Sequence, residues 1–175
     1  MLNNCSSAAA LERYKIRHDA VLRILCKWVE SVLEKSAFLF ADLQGYQPLQ
    51  TIFHRLRPDI AIVLGEEIHL LELTICHETN LVKSRDYKLG KYSTAKQDFT
   101  KHYFKHKVIC HSVEVSTFGH ISDFSQFTKL FCNCARLPDK IFSEIVKSVI
   151  GNSYNIYRHR NEPILSSNVV TDFNI

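Results

Sequence analysis

Apolar residues near the middle of the chain form two short runs that are separated by a turn containing a glycine. Ile60–Leu64 and Ile68–Ile75 are rich in aliphatic residues, and Gly65 lies between them. Two such runs joined by a glycine-containing turn are typical of a β-hairpin. A third run, Lys107–Thr117, follows a helical segment, which favours a crossover connection and parallel pairing with the hairpin. The pattern therefore predicts a central mixed sheet.

Elsewhere, apolar residues recur at the three- and four-residue spacing of helices. The stretch Ala8–Ser36 carries such a stripe and predicts one long amphipathic helix. Short strands are predicted at Phe38–Phe40 and Gln50–His54. Three further helices are predicted to begin near Leu81, near Ser122 or Asp123, and near Leu137, the last one continuing to Tyr157. These elements indicate an α/β fold in which helices flank the central mixed β-sheet.

Length and composition are those of an ordinary globular domain. We expect the 175 residues to form a single domain, with a core at 8–160 and tails at 1–7 and 162–175. No apolar run approaches the length of a membrane span, and the N-terminus lacks the pattern of a secretory signal. We therefore expect an intracellular protein. Its six cysteines lack the paired spacing of a zinc site, and Cys26, Cys76 and Cys110 are expected to pack as reduced, small apolar residues.

Each strand of the predicted hairpin carries a carboxylate where burial is expected. Asp59 precedes the first apolar run, and Glu72 lies inside the second. A buried carboxylate is costly unless a cation satisfies it. Mg²⁺ commonly takes one or two carboxylates from a protein and keeps several waters. The hairpin therefore predicts a divalent-cation site formed by Asp59 and Glu72.

The same segment resembles a nuclease signature. Pro58-Asp59, twelve intervening residues and then Glu72-Leu73-Thr74 are similar to the PD-(D/E)XK motif, with Thr74 where that family usually has lysine. Four flanking segments extend the resemblance to the restriction-like endonuclease domain of non-LTR retrotransposons and of proteins derived from them: Arg17–Leu22, Tyr87–Tyr92, Val113–Gly119 and Tyr157–Asn161. The resemblance implies a restriction-endonuclease-like core, a DNA substrate, Mg²⁺ or Mn²⁺ as cofactor and a nuclear location.

The resemblance also assigns roles to residues around the acid pair. It implies metal binding by Asp59 and Glu72, with the backbone carbonyl of Leu73, and contact of His18 or Arg17 with a phosphate or with the water bound to the metal. In the family, a lysine at the Thr74 position neutralises the scissile phosphate. Lys88 is the expected replacement, because it shares a predicted sheet-facing stripe with these residues: Leu81, Arg85, Tyr92, Ala95 and Phe99. Lys91 is the second choice.

The charge distribution supports nucleic acid as a partner but does not require it. Between Lys83 and Lys107 there are eight Lys or Arg residues and two Asp residues, which gives a basic segment beside the acid pair. Such a segment favours phosphate backbones, although a solvated helix face has the same composition. Besides Arg17, the expected DNA contacts are Arg85, Lys91, Arg158 and Arg160.

Two alternatives stay open at this point. A nuclease-derived fold without the motif lysine can bind nucleic acid or protein without cleaving it. A plain interaction domain is the other alternative, in which Glu72 and Lys88 form only a buried salt bridge. The sequence indicates neither the oligomeric state nor a preferred target sequence.

Overall fold

The computed structural model describes residues 8–46, 57–102, 106–132 and 136–161. In this part of the chain the architecture is α/β, with a four-stranded mixed sheet flanked by helices, as the sequence pattern predicts. The predicted strand at Gln50–His54 and both predicted tails lie outside the described residues. None of the described helices is long and apolar enough to cross a membrane.

The helices and strands lie close to their predicted positions. The helices are α1 (Ala8–Val32), α2 (Leu81–His102), α3 (Ser125–Cys132) and α4 (Asp139–Arg158). The strands are β1 (Phe38–Ala41), β2 (Ile60–Leu64), β3 (Glu67–Cys76) and β4 (Lys107–Ser116). A single 3₁₀ turn, Glu78–Asn80, precedes α2. Helix α1 ends before the predicted Ser36, because the chain turns where the Ala37 amide donates to the Glu34 carbonyl at 3.0 Å.

The sheet is built around the predicted hairpin and has the strand order β1-β2-β3-β4. The first three strands pair antiparallel, and β4 pairs parallel with β3, from Glu67 opposite Lys107 to Cys76 opposite Ser116. Gly65 has a φ of +55°, in the left-handed region that glycine adopts without steric cost. The predicted hairpin turn and the predicted parallel strand are both confirmed.

Helices cover the two faces of the sheet differently. Helices α1, α3 and α4 pack on one face, where Leu71 and Leu73 of β3 join the larger core, which also contains the buried thiol of Cys26. Helix α2 packs on the other face, where Tyr92 contacts a smaller core that includes Ile68 and Leu70. Because strand side chains alternate, Glu72, Thr74 and Cys76 share the α2 side with Ile68 and Leu70. The alternation thus directs Glu72 towards α2.

Candidate active site

Two buried carboxylates lie at neighbouring positions of the hairpin, Asp59 directly before β2 and Glu72 within β3. The β2–β3 register pairs Ile60 with Leu71, and one further step places Asp59 opposite Glu72. Asp59 is 9% exposed and Glu72 is 4% exposed. The Leu73 amide donates to Asp59 Oδ2 at 2.7 Å, which fixes that carboxylate against β3. Like charges directly opposite each other in a sheet destabilise it, so this pair requires positive charge nearby.

Helix α2 supplies one of the positive charges. Lys88 Nζ donates to Glu72 Oε2, and the Tyr92 hydroxyl, one turn later on α2, donates to Glu72 Oε1. Burial and the Asp59 charge raise the pKa of Glu72, whereas the hydrogen bonds from Lys88 and Tyr92 favour its carboxylate. Burial also opposes the charged form of Lys88, but its contact with Glu72 outweighs burial and raises the pKa of the amine. Lys88 therefore remains a cation beside the acid pair.

The two candidate lysines have different positions on α2. Lys88 bonds to Glu72, whereas Lys91 is exposed and its Nζ lies 5.0 Å from the centre of the Tyr92 ring. Lys88 and Arg85 lie on the sheet-facing side of α2, as the helical spacing predicts. The side chains of Ala95 and Phe99, which complete the predicted stripe, are outside the described part of the chain.

Helix α1 supplies the second positive charge. His18 Nε2 lies 3.4 Å from Asp59 Oδ2, and His18 Nδ1 lies 3.2 Å from Asp19 Oδ1. Burial disfavours the imidazolium, but the hydrogen bonds to Asp19 and Asp59 outweigh burial and raise the pKa of His18 to about 9. At neutral pH His18 is therefore protonated and donates from both ring nitrogens. One cation contacts each member of the acid pair.

An open cleft of about 810 Å³ lies between α1 and α2, beside the end of β3. Its basic lining residues are Lys15, Arg17, His18, Lys83 and Lys88. None of the described residues that line it is acidic. Asp59 and Glu72 are not among the residues that line the cleft, but His18 and Lys88, which do line it, contact them. The cleft is therefore a cationic surface with two carboxylates directly behind it.

Thr74 also lines this cleft, at the position of the lysine in the nuclease motif. Its side chain is on the same side of β3 as that of Glu72, because the two residues are two positions apart on one strand. The Thr74 hydroxyl is buried and has no hydrogen-bond partner among the described residues. Buried hydroxyls normally have a partner, so this oxygen is available to a water or to a phosphate oxygen.

Arg17 has a structural position in the fold. It is 2% exposed, and its guanidinium donates to Ser153 Oγ at 3.0 Å and to the Ile75 carbonyl at 3.4 Å. These bonds join α1 to α4 and β3 at the wall of the cleft. Burial lowers the pKa of Arg17, although a guanidinium stays charged at any physiological pH.

Arg85 bonds to a buried acid on β4. Its Nε and Nη2 donate to Glu114 Oε2 at 3.0 and 2.8 Å. Glu114 is fully buried and also accepts hydrogen bonds from Ser112 and from Ser122. Burial alone would raise the pKa of Glu114, but these donors, led by Arg85, lower it. The charge of Arg85 therefore satisfies a carboxylate of the protein.

The two remaining arginines of the sequence prediction lie at the end of α4. Arg158 is exposed in the last turn of the helix. Arg160 follows the helix, lies 4.4 Å from the centre of the Tyr157 ring and donates to the Tyr157 carbonyl. Neither residue is near the acid pair in the contacts that the structure gives.

Tyr92 and Asp19 are the site residues that sequence reasoning did not assign. Tyr92 lies four residues after Lys88 on the same predicted stripe, and this spacing was a signal that its hydroxyl faces β3. Asp19 follows His18 directly, but neighbours in a helix point in different directions, so the sequence gives no sign of their contact.

The donor set fits a small hard cation, although it is incomplete without waters. The carboxylates of Asp59 and Glu72 and the carbonyl of Leu73 are oxygen ligands of the kind that Mg²⁺ and Mn²⁺ prefer. Within the described residues, no group of three or more His, Cys, Asp or Glu side chains is arranged to hold a metal ion. Comparison of the chain with models of known protein families and with curated proteins finds no match.

Proposed function

We propose that this chain is a metal-dependent DNA endonuclease of the PD-(D/E)XK type, with a restriction-endonuclease-like core. Its suggested role is the nicking of target DNA by a retrotransposon or by a protein derived from one, which requires a nuclear location. One observation carries the proposal. Lys88 on α2 contacts Glu72, the acid opposite Asp59, at the wall of a cationic cleft.

The acid pair requires positive charge, which Lys88 and His18 supply in the structure and which a bound metal ion would also supply. Burial and the neighbouring Asp59 charge raise the pKa of Glu72, so the ionised pair is destabilised in the absence of positive charge. Asp59, Glu72 and the Leu73 carbonyl would hold Mg²⁺ or Mn²⁺. When bound, the cation supplies Lewis-acid chemistry, which lowers the pKa of a water and stabilises charge on the phosphate.

Lys88 supplies the positive charge that Thr74 lacks. A quarter of its side chain is exposed and it lines the cleft, so its ammonium can turn from Glu72 to a phosphate oxygen. A preorganised cation in a partly desolvated site stabilises the charge that develops on the transferred phosphoryl group. The unpartnered hydroxyl of Thr74 orients a water or a phosphate oxygen at the same wall.

His18 holds Asp59 in place and adds a second donor at the cleft. Its Nε2–H points to Asp59 Oδ2, and Asp19 fixes the other ring nitrogen. Against the effect of burial, its contacts with Asp19 and Asp59 raise the pKa of His18 to about 9, so at neutral pH it is a cation and proton donor. The exposed amines of Lys15 and Lys83 attract the DNA backbone to the same cleft.

Nicking of supercoiled plasmid tests the proposal. With Mg²⁺ or Mn²⁺ the wild-type protein should convert supercoiled plasmid to open circles, and Asp59→Asn and Glu72→Gln should abolish that conversion. Lys91→Met serves as a matched control, because Lys91 is exposed and contacts neither acid. The proposed endonuclease activity is refuted if correctly folded wild-type protein leaves the plasmid supercoiled with Mg²⁺ and also with Mn²⁺.

The second candidate is a nuclease-like fold that binds DNA without cleaving it. The uncharged Thr74 and the closed Lys88–Glu72 pair favour it, because both remove features that hydrolysis needs. This candidate predicts plasmid binding that weakens in Lys15→Ala and Lys83→Ala, with no open circles formed under either metal.

A further inference from the structure

Helix α4 exposes a second apolar stripe beside the face that packs on the core. Its buried side chains are Ile145, Val149, Ser153 and Ile156. The stripe consists of Ile150, Tyr154 and Tyr157, which are 47%, 60% and 52% exposed. A helix on the surface of a globular domain needs one apolar face for packing. A contiguous exposed apolar face on a soluble domain indicates a binding surface.

The charges around this stripe are all positive in its second half. Residues 147–160 contain Lys147, Arg158 and Arg160 and no Asp or Glu. The guanidinium of Arg160 lies over the ring of Tyr157, with 4.4 Å between its central carbon and the ring centre. Exposed aromatic rings beside basic side chains form the surface that proteins use for single-stranded nucleic acid, where bases stack on rings and phosphates meet cations.

Helix α4 contacts the residues around the cleft at two points. Arg17, which lines the cleft, bonds to Ser153 of α4 at 3.0 Å. At the second point, Gly119 packs so closely on α4 that a Cβ there would lie 2.9 Å from Val146 Cγ1. Phe118, next to Gly119, is 70% exposed, and its ring lies 5.8 Å from that of His77. His77 follows Cys76, which lines the cleft.

We infer that Tyr154, Tyr157 and the arginines after them form a track for an unpaired strand of nucleic acid that leads into the cleft. The inference rests on the proposal that the cleft takes DNA. Duplex bases are stacked on each other and present no free ring faces, so stacking on exposed tyrosines requires unpaired bases. The preferred substrate is therefore a duplex with a single-stranded flank beside the cleavage point.

Binding of labelled oligonucleotides in EDTA tests the track without cleavage. The double variant Tyr154→Ala/Tyr157→Ala should bind a 20-residue oligo(dT) at least about 10-fold more weakly, since stacking contributes about 1–3 kcal/mol per base. Its affinity for a blunt duplex should change less than about twofold. Tyr154→Phe/Tyr157→Phe should bind like wild type, because stacking uses the ring and not the hydroxyl. Phe38→Ala, which removes another exposed ring, is the matched control.

Three results would overturn the track. One is an unchanged affinity for oligo(dT) in the double alanine variant, when the melting temperature of that variant protein shows that it is folded. Another is an equal loss of oligo(dT) and duplex affinity. The third is a change in oligomeric state on size-exclusion chromatography with no change in DNA affinity, which would make the stripe a protein interface. Tyrosine-dependent oligo(dT) binding by a protein that nicks no plasmid supports the track while refuting the endonuclease.

Discussion

Lys88 and Glu72 form an ion pair between α2 and β3, in which Nζ of the lysine donates to Oε2 of the acid. Thr74, two residues after Glu72 on the same strand, carries no charge and has a buried hydroxyl without a partner in the described part of the chain. The positive charge at this wall therefore comes from the following helix and not from the strand itself. In the proposed endonuclease, Lys88 would take the place of the lysine that the motif position lacks.

Replacing Lys88 with methionine should remove the charge that the phosphate needs. We expect Lys88→Met to lower the rate of plasmid nicking by about 10²–10³-fold, as the loss of one charge-stabilising donor does in other enzymes. Lys91→Met should stay within about twofold of wild type, because Lys91 is exposed and lies over the Tyr92 ring. The two rates are measured under the same Mn²⁺ concentration. An equal loss of nicking rate in both variants would show that the rate depends on the total charge of α2 and not on the position of Lys88.

A double variant separates the catalytic reading from a purely structural ion pair. Lys88→Met alone leaves Glu72 buried and unpaired beside Asp59, and we expect it to lower the free energy of unfolding by about 2 kcal/mol. The value lies below that of a fully buried pair, since Lys88 is 25% exposed. Glu72→Gln/Lys88→Met should recover stability close to wild type, because glutamine keeps the acceptor for Tyr92. Urea unfolding measures both.

Calorimetry with Mn²⁺ completes that experiment. The wild-type protein should bind one Mn²⁺, and the double variant should bind none although it is as stable. Absence of Mn²⁺ binding in the wild type, together with the recovered stability, would establish Glu72 and Lys88 as a structural salt bridge only.

Local patterns in the sequence predicted the strands and the helix that carry the site. The apolar runs around Gly65 define the hairpin, and the spacing on α2 places Lys88 towards β3. The contacts of Arg17 with Ser153 and of Arg85 with Glu114 were not predictable in this way. Each joins residues far apart in the chain, and a surface arginine and a buried one look the same in a sequence. The resemblance implies a phosphate contact for Arg17, and the basic charge of α2 predicts one for Arg85, whereas in the structure both bond to groups of the protein.

The partner of Arg85 yields a prediction about stability. Arg85→Met leaves the fully buried Glu114 without its guanidinium, and we expect the free energy of unfolding to fall by about 1–2 kcal/mol, less than for a fully buried pair because the Arg85 side chain is 40% exposed. Lys83→Met, at an exposed position on the same helix, should change it by less than about 0.5 kcal/mol. Urea unfolding at pH 7 measures both variants. A small effect of Arg85→Met would mean that Ser112 and Ser122 satisfy Glu114 without the arginine.

The stacked pair of His69 and His111 predicts a loss of stability in acid. Nδ1 of His69 lies 3.1 Å from Nε2 of His111. Two causes lower the pKa of His111 from 6.5 to about 4. The larger is burial of the ring, and the smaller is repulsion by the neighbouring His69. In the unfolded chain His111 therefore takes up a proton below about pH 6.5, whereas in the folded chain it does so only near pH 4. Stability should fall across this window by up to about 3 kcal/mol.

The variant His111→Phe isolates this contribution from that of the carboxylates. Its free energy of unfolding should fall less between pH 6.5 and 4 than that of wild type, whereas exposed His120→Gln should follow wild type. Urea unfolding at five pH values gives the difference. Parallel curves for His111→Phe and wild type would contradict the lowered pKa.

If duplex DNA binds in the cleft as proposed, its affinity should depend on salt, with a slope that reports the number of phosphate contacts. Lys15 and Lys83 line the cleft on opposite walls, one from α1 and one from α2. Each phosphate contact that is lost should reduce the slope of log affinity against log salt concentration by about 0.9. We expect Lys15→Ala/Lys83→Ala to reduce the slope by about 2 in fluorescence anisotropy, whereas Lys140→Ala/Lys147→Ala on α4 should leave it unchanged for a blunt duplex. If the α4 pair reduces the slope instead, the duplex lies along α4 and not between α1 and α2, so Lys88 would lie away from the scissile phosphate.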